Sequence, residues 1–160
     1  MAKSKEEKTN VMRTLEQKKI PYTAHSYDPE GPIDGVSVAQ TLGQPPEQVF
    51  KTLVTKGASG AYYVFDIPVA ENLDLKKAAK AVGEKSVAML PQKELLPLTG
   101  YVHGGCSPVG MKKQFPTVFH ETAVLYGTVC VSAGKIGHQV ECDPNALIAL
   151  LRAKTADVIV

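Results

Sequence analysis

Residues 48–67 carry the feature that most limits how this chain can fold. Gln48-Val49-Phe50-Lys51-Thr52-Leu53-Val54 and Ala61-Tyr62-Tyr63-Val64-Phe65-Asp66-Ile67 are rich in β-branched and aromatic residues, with a glycine-bearing turn, Lys56-Gly57-Ala58-Ser59-Gly60, between them. So short a connection closes an antiparallel hairpin, because a parallel pair needs a crossover of a dozen or more residues. Within the first run the side chains alternate, so Val49, Lys51 and Leu53 share one face and Phe50, Thr52 and Val54 the other. Lys51 therefore points among apolar neighbours. Taking an ammonium out of water costs several kcal/mol unless something negative or strongly hydrogen-bonding meets it. Two readings follow: a lysine kept for a ligand, or an edge-strand lysine that snorkels to solvent and discourages aggregation.

The remaining punctuation predicts further short elements. Ser4-Lys5-Glu6-Glu7 has the form of a capping box, with Val11 and Leu15 spaced for a helix over about 5–18, and residues 1–4 are expected as a disordered tail. Tyr22 to Tyr27 reads as a strand, a loop follows over 28–35, and a short helix around Val38 to Leu42 stops at Gly43. Asp74 to Val82 is helical with Gly83 as its C-cap. Ser86 to Leu90 is extended, and Pro91 opens a short helix to about Leu96. Strands are expected over 117–120, 127–132 and 138–142, with a helical turn over 121–126. Asp143-Pro144 begins a helix, and a last strand is expected over 157–160. Six or seven strands interleaved with four or five helices, including a hairpin, predict a mixed α/β fold rather than a doubly wound parallel sheet.

Length and charge narrow the class. A chain of 160 residues, 44% hydrophobic, is long enough for one core, so residues 1–160 are expected to form a single domain. A net charge of +2 gives no global field for nucleic acid, so any basic surface must be local. Cys106, Cys130 and Cys142 suggest no disulfide framework and fit a reducing cytosol; the chain is expected to be cytoplasmic, with no membrane partner. The longest wholly apolar run, Ala146 to Leu151, is far too short to span a bilayer.

Two glycine-bearing loops stand out for chemistry. Thr99 to Gly110 includes Gly100, Gly104, Gly105 and Gly110, and Ser132-Ala133-Gly134-Lys135-Ile136-Gly137 forms a second small-residue turn. Such density lets backbone amides approach a ligand or turn sharply, and neither loop has the order of a P-loop or a dinucleotide fingerprint. Lys76, Lys77 and Lys80 share the exposed side of one helix, with Lys112 and Lys113 just after the first loop; these are candidate phosphate contacts or solvated faces. His103 and Cys106 are the only tight metal-ligand pair, and zinc sites usually show two, so neither metal nor cofactor is expected. Cys106 with a histidine base is a candidate nucleophile; the other reading is a small apolar residue. The residues alone suit a site that positions a polyanionic substrate and stabilises developing negative charge without an obvious protein nucleophile.

Val49-Phe50-Lys51-Thr52-Leu53-Val54, Leu73 to Lys80, Gly100-Tyr101, Gly104-Gly105-Cys106-Ser107-Pro108 with Lys112-Lys113, and Val131-Ser132-Ala133-Gly134-Lys135 together resemble the YbaK/EbsC family, related to the editing domain of bacterial prolyl-tRNA synthetases. The resemblance runs from about Leu15 to the C-terminus. It implies a strongly curved or half-barrel sheet and trans-editing hydrolysis of mischarged aminoacyl-tRNA, above all Cys-tRNA(Pro), with prolyl-tRNA synthetase as a candidate partner. Lys51 falls on the family's essential lysine. Tyr27, Thr52, Gly104, Gly105, Ser132, Gly134 and Gln139 fall at substrate-binding positions, while the lysines at 76, 77, 80, 112 and 113 are the candidate tRNA contacts. In the family's proposed mechanism the substrate's own thiol attacks its ester carbonyl.

The sequence also departs from the family pattern. Ile136 replaces an arginine, Gln139 stands where some members have aspartate, and Cys106 occupies a usually aliphatic position. Two alternatives stay open at this level: a Cys106-dependent hydrolase, and a non-catalytic tRNA-binding or regulatory module.

Overall fold

The computed structural model describes residues 8–160, so the capping box at 4–7 and the tail expected at 1–4 lie outside them. Helix α1 (Asn10–Gln17) begins later than the spacing predicted: Thr9 is its N-cap, its hydroxyl oxygen accepting from the Met12 amide at 3.2 Å. Val11, Met12 and Leu15 form its buried stripe.

Eight strands form two sheets among the described residues. In the first, β1 (Tyr22–Ser26), β7 (His138–Cys142) and β6 (Val129–Ser132) run antiparallel in that order. The second has the order β4 (Val87–Met89), β2 (Phe50–Gly57), β3 (Tyr62–Pro68), β5 (Thr117–His120), β8 (Lys154–Ala156). The hairpin forms as its short turn requires, pairing Phe50 with Pro68 through Lys56 with Tyr62. Beyond it β3–β5 and β5–β8 are parallel, so the mixed α/β class is borne out.

The last strand differs in position from the expectation. It covers Lys154–Ala156, and Ile159 makes only an isolated bridge to Leu73. Backbone groups of this segment are spoken for: the Val158 amide donates to His120 Nδ1 at 3.3 Å and Ile159 O accepts from Lys77 Nζ at 2.9 Å, so the segment pairs only at that bridge to 72–74. Helix α4 (Gln92–Thr99) runs past Leu96 with Pro97 inside it.

The sheets meet where β2 starts. Val49 bridges Cys130 in parallel, and on the same edge β2 is next engaged when the Leu90 amide donates to Val54 O at 3.0 Å and β4 pairs from Thr55 onward. Helix α2 (Gly35–Leu42), capped by Asp34 and ended by Gly43 at φ +68°, lies against this junction, with Ala39, Val49, Val69 and Cys130 packed together. Helix α3 (Leu75–Val82) covers the far face of the larger sheet, where Ala78 and Ala79 pack with Phe65, Ile67 and Val118. Helix α5 (Pro144–Leu151) contributes Leu147 and Leu151 to the core shared with α1 and Phe50.

A side chain at Gly35 would put its Cβ 2.3 Å from Val69 Cγ1, so α2 can approach the junction only with glycine there. Gly35→Ala is expected to cost about 1–3 kcal/mol by forcing the two apart. A denaturant midpoint equal to wild type would contradict that packing.

Candidate active site

The gap between the sheets holds a cavity of about 360 Å³, lined on the β2 side by Lys51, Thr52 and Leu53 and on the β6 side by Val131 and Ser132. Tyr27, Gly104, Cys106 and Gln139 complete the set of sequence-predicted residues gathered there. On the edge of β2 facing this gap, Val54 O is taken by Leu90, and alternate residues share an edge. The backbone N–H and C=O of Thr52 therefore face the cavity, between the single bridge at Val49 and the start of the β4 ladder.

Lys51 is half-buried, with Val49 and Leu53 on its face as the alternation required. Burial holds its ammonium below the ordinary lysine value, against a smaller opposing pull from Glu71. It forms no hydrogen bond or ion pair within the described residues, so its donors are free for something in the cavity.

Tyr101 holds the two glycine loops together. Its hydroxyl donates to Val109 O at 2.5 Å, and a Cβ at Gly134 (φ +92°) would meet its ring at 2.9 Å. Gly134 is thus the residue that lets the second loop close on Tyr101, and it does not line the cavity. The Ser132 hydroxyl accepts from the Gly134 amide at 3.1 Å, leaving its own hydrogen to donate into the cavity. Gly104 (φ +90°) does line it, and a Cβ there would meet Ile33 at 2.9 Å. Gly105 differs from the expectation: it is buried behind the wall, and its amide donates to Val102 O at 3.0 Å. Ile136, at the family's arginine position, packs against Gly104 and Gly105.

Gln139 is buried and its amide is already matched. Gln44 Nε2 donates to its Oε1 at 2.7 Å, and Gln139 Nε2 donates back to Gln44 Oε1 at 3.2 Å, which makes a rigid polar wall. Gln44 was not legible as a partner, since only the fold brings it to β7. His103 and His138 also line the cavity.

Opposite Thr52 on β3 lies Asp66, 0% exposed. Thr52 Oγ1 donates to its Oδ1 at 2.5 Å, while Oδ2 has no hydrogen-bond partner among the described residues. Burial pushes this carboxyl up to about 7, with the Thr52 hydrogen bond pulling the other way. Burial, with a further contribution from Asp66, pushes the Cys106 thiol up to about 12. A thiol so placed stays protonated near neutrality, which weighs against Cys106 as a nucleophile.

The lysines divide. Lys76 and Lys80 are exposed on α3 beside Lys85, along a groove that includes Leu75 and Ser86. Lys77 instead donates to Asp157 and to Ile159 O, both at 2.9 Å, clamping α3 to the C-terminal segment. Lys112 donates to Pro97 O at 3.3 Å and Lys113 is exposed. None of the five lines the cavity.

A two-sheet mixed α/β fold around a lysine-bearing cavity, closed by glycine loops, defines a class that comparison makes specific. The profile of the aminoacyl-tRNA editing domain matches residues 34–150, and the chain belongs to that family; Tyr27 lies outside the matched span. An Enterococcus faecalis protein provisionally named Cys-tRNA(Pro)/Cys-tRNA(Cys) deacylase EbsC is 48% identical over 160 residues, covering 99% of this chain and 98% of the relative. The solved structure of a protein provisionally described as a trans-editing enzyme for prolyl-tRNA synthetase is 27% identical, with TM-score 0.80 and 94% of each chain covered. A hypothetical protein, APE2540, shares the fold at 22% identity, with TM-score 0.86 over 94% of this chain and 99% of its own.

The Asp66 shift has a stability consequence whose sign is fixed. The native state holds this proton to about 7, whereas an unfolded aspartate releases it near its ordinary 3.8, so the contribution of Asp66 to stability is full below that lower value and is lost as pH rises through about 7. In Asp66→Asn that decline should flatten. Chemical denaturation across this range reads it; an equal decline in both proteins would contradict the assignment.

Proposed function

We propose that this chain is an aminoacyl-tRNA deacylase acting in trans on mischarged tRNA, Cys-tRNA(Pro) above all, in the cytoplasm. The observation that carries the reading is the Lys51 ammonium, without a hydrogen-bond or ion-pair partner among the described residues, facing a cavity it shares with Gly104 and Ser132 in a chain of the editing-domain family. Two names given to similar proteins, a Cys-tRNA(Pro)/Cys-tRNA(Cys) deacylase and a trans-editing enzyme for prolyl-tRNA synthetase, support the substrate class and make that synthetase the candidate partner.

Lys51 and the amide of Gly104 meet the ester carbonyl oxygen and stabilise the charge that develops on it. Tyr27 and Ser132 orient the aminoacyl group or the terminal adenosine, and Lys76, Lys80 and Lys113 contact the tRNA backbone. With Gly105 spent on Val102, and Lys77 on Asp157, neither is part of this assignment. With Cys106 held as a thiol, the nucleophile comes from the substrate. Its cysteine sulfur bonds to its own carbonyl carbon, the C–O bond to the tRNA 3′ oxygen breaks, and the thiol proton ends on that oxygen. Water then opens the resulting thiolactone to free cysteine. The protein's contribution is to hold sulfur and carbonyl in reach and to stabilise the intermediate oxyanion.

An oxyanion donor is worth about 3 kcal/mol, so Lys51→Ala should lower deacylation of Cys-tRNA(Pro) at least a hundredfold (~3 kcal/mol) while the far-ultraviolet circular dichroism stays native. Full activity in that variant would remove Lys51 from the mechanism. Cys106→Ala should stay within a few-fold of wild type on the same substrate, and a hundredfold loss with an intact fold would restore the cysteine-dependent alternative. A panel of Ala-tRNA(Pro), Cys-tRNA(Pro) and Cys-tRNA(Cys) reads specificity. The substrate-thiol route predicts rapid loss of both cysteinyl esters and slow loss of the alanyl one; equal rates on all three would exclude that route. An ester left intact at catalytic protein levels would mark a binding module instead.

A further inference from the structure

Asp66 has no role in the reaction described so far. A buried, half-satisfied carboxylate lowers stability at neutral pH, and no lysine, arginine or histidine among the described residues pairs with it. The groups around it are specific. From β2 it receives the Thr52 hydroxyl, the Cys106 thiol of the glycine loop lies within electrostatic reach of it, and on β5 the residue in register is Phe119, which does not titrate. Lys51 lies on the opposite face of β2. Thr52 lines the cavity wall, so the one side chain among the described residues that hydrogen-bonds Asp66 belongs to the site.

Thr52 is also the residue whose backbone N–H and C=O face the gap between the sheets. A side chain tied down on one face of a strand fixes the direction of the peptide groups at its edge. We propose that Asp66 is a positioning residue of the editing site: its ionised carboxylate, taking the Thr52 hydroxyl hydrogen, holds Thr52 and the open backbone edge of β2 in place beside Lys51. The inference rests on the deacylase reading. It adds a pH response, because a neutral carboxyl accepts a weaker hydrogen bond than a carboxylate and holds Thr52 less firmly.

The test measures kcat/KM for Cys-tRNA(Pro) across pH for wild type, Asp66→Asn, Thr52→Val and Thr52→Ser, alongside a carbon-13 carboxyl titration of Asp66 in the wild type and in Thr52→Val. Asp66→Asn imitates the neutral carboxyl at every pH, so it should lose about tenfold near pH 8 and little near pH 6, where wild type is itself protonated. Thr52→Val should lose a similar amount and raise the Asp66 titration above its wild-type midpoint, expected at about 7, since the hydroxyl that favours the charged form is gone. Thr52→Ser should recover most of the loss. Equal kcat/KM and an unchanged pH profile in Asp66→Asn would overturn the proposal, as would a loss that is the same at every pH and follows the unfolded fraction. Should Asp66→Asn fail to fold, an unmoved Asp66 midpoint in Thr52→Val would overturn it equally. Failure of wild type on all three esters is seen before any variant is made, and would remove the deacylase reading and this inference together.

Discussion

The structure depends on a positive charge held half out of water that forms no hydrogen bond or ion pair among the described residues. Lys51 sits between Val49 and Leu53, its ammonium disfavoured by burial and only weakly helped by Glu71. Such a group is tolerated in a marginally stable fold when the surroundings hold it there for a purpose. Those surroundings are the start of β2, where one bridge to Cys130 joins two sheets that are otherwise separate ladders. Because the joint is a single bridge, the gap beyond it is open, and the lysine, the Thr52 peptide groups and the β6 serine all face into it.

Everything that encloses the gap bears on that joint. Gly35 lets α2 press on Val69, Gly104 lets the first glycine loop pass Ile33, and Gly134 lets the second close on Tyr101. Each of these glycines is required by a close approach rather than by a general need for flexibility. The Tyr101 hydroxyl ties the first loop to itself through Val109 O, so the cavity wall is built from loops that are pinned. This suits a site whose main task is to hold a substrate in one geometry.

Much of this was legible in the sequence, for identifiable reasons. The hairpin followed from a turn too short for any crossover, the caps at Gly83 and Asp143 from residue chemistry, and the face of Lys51 from strand alternation. What could not be read depends on residues far apart in the chain. Gln44 meets Gln139 and Lys77 meets Asp157 only through the fold, and the Gly105 amide is spent on a carbonyl three residues away by a turn that glycine count alone does not specify. The start of α1 moved because Thr9 caps it, and the final strand moved because His120 and Lys77 engage the segment expected to pair. Asp66 was hidden in plain view, as one carboxylate within a strand otherwise made for a core.

The central claim is that the Lys51 amine is there to meet an oxygen of the substrate. The direct measurement is the titration of its ε-carbon by NMR, in the free protein and with a non-hydrolysable amide-linked analogue of 3′-cysteinyl-adenosine bound. The account predicts a free-state value below that of ordinary lysines and a rise when the analogue's carbonyl oxygen accepts from the ammonium. An ordinary value in the free protein that does not move on binding would contradict it.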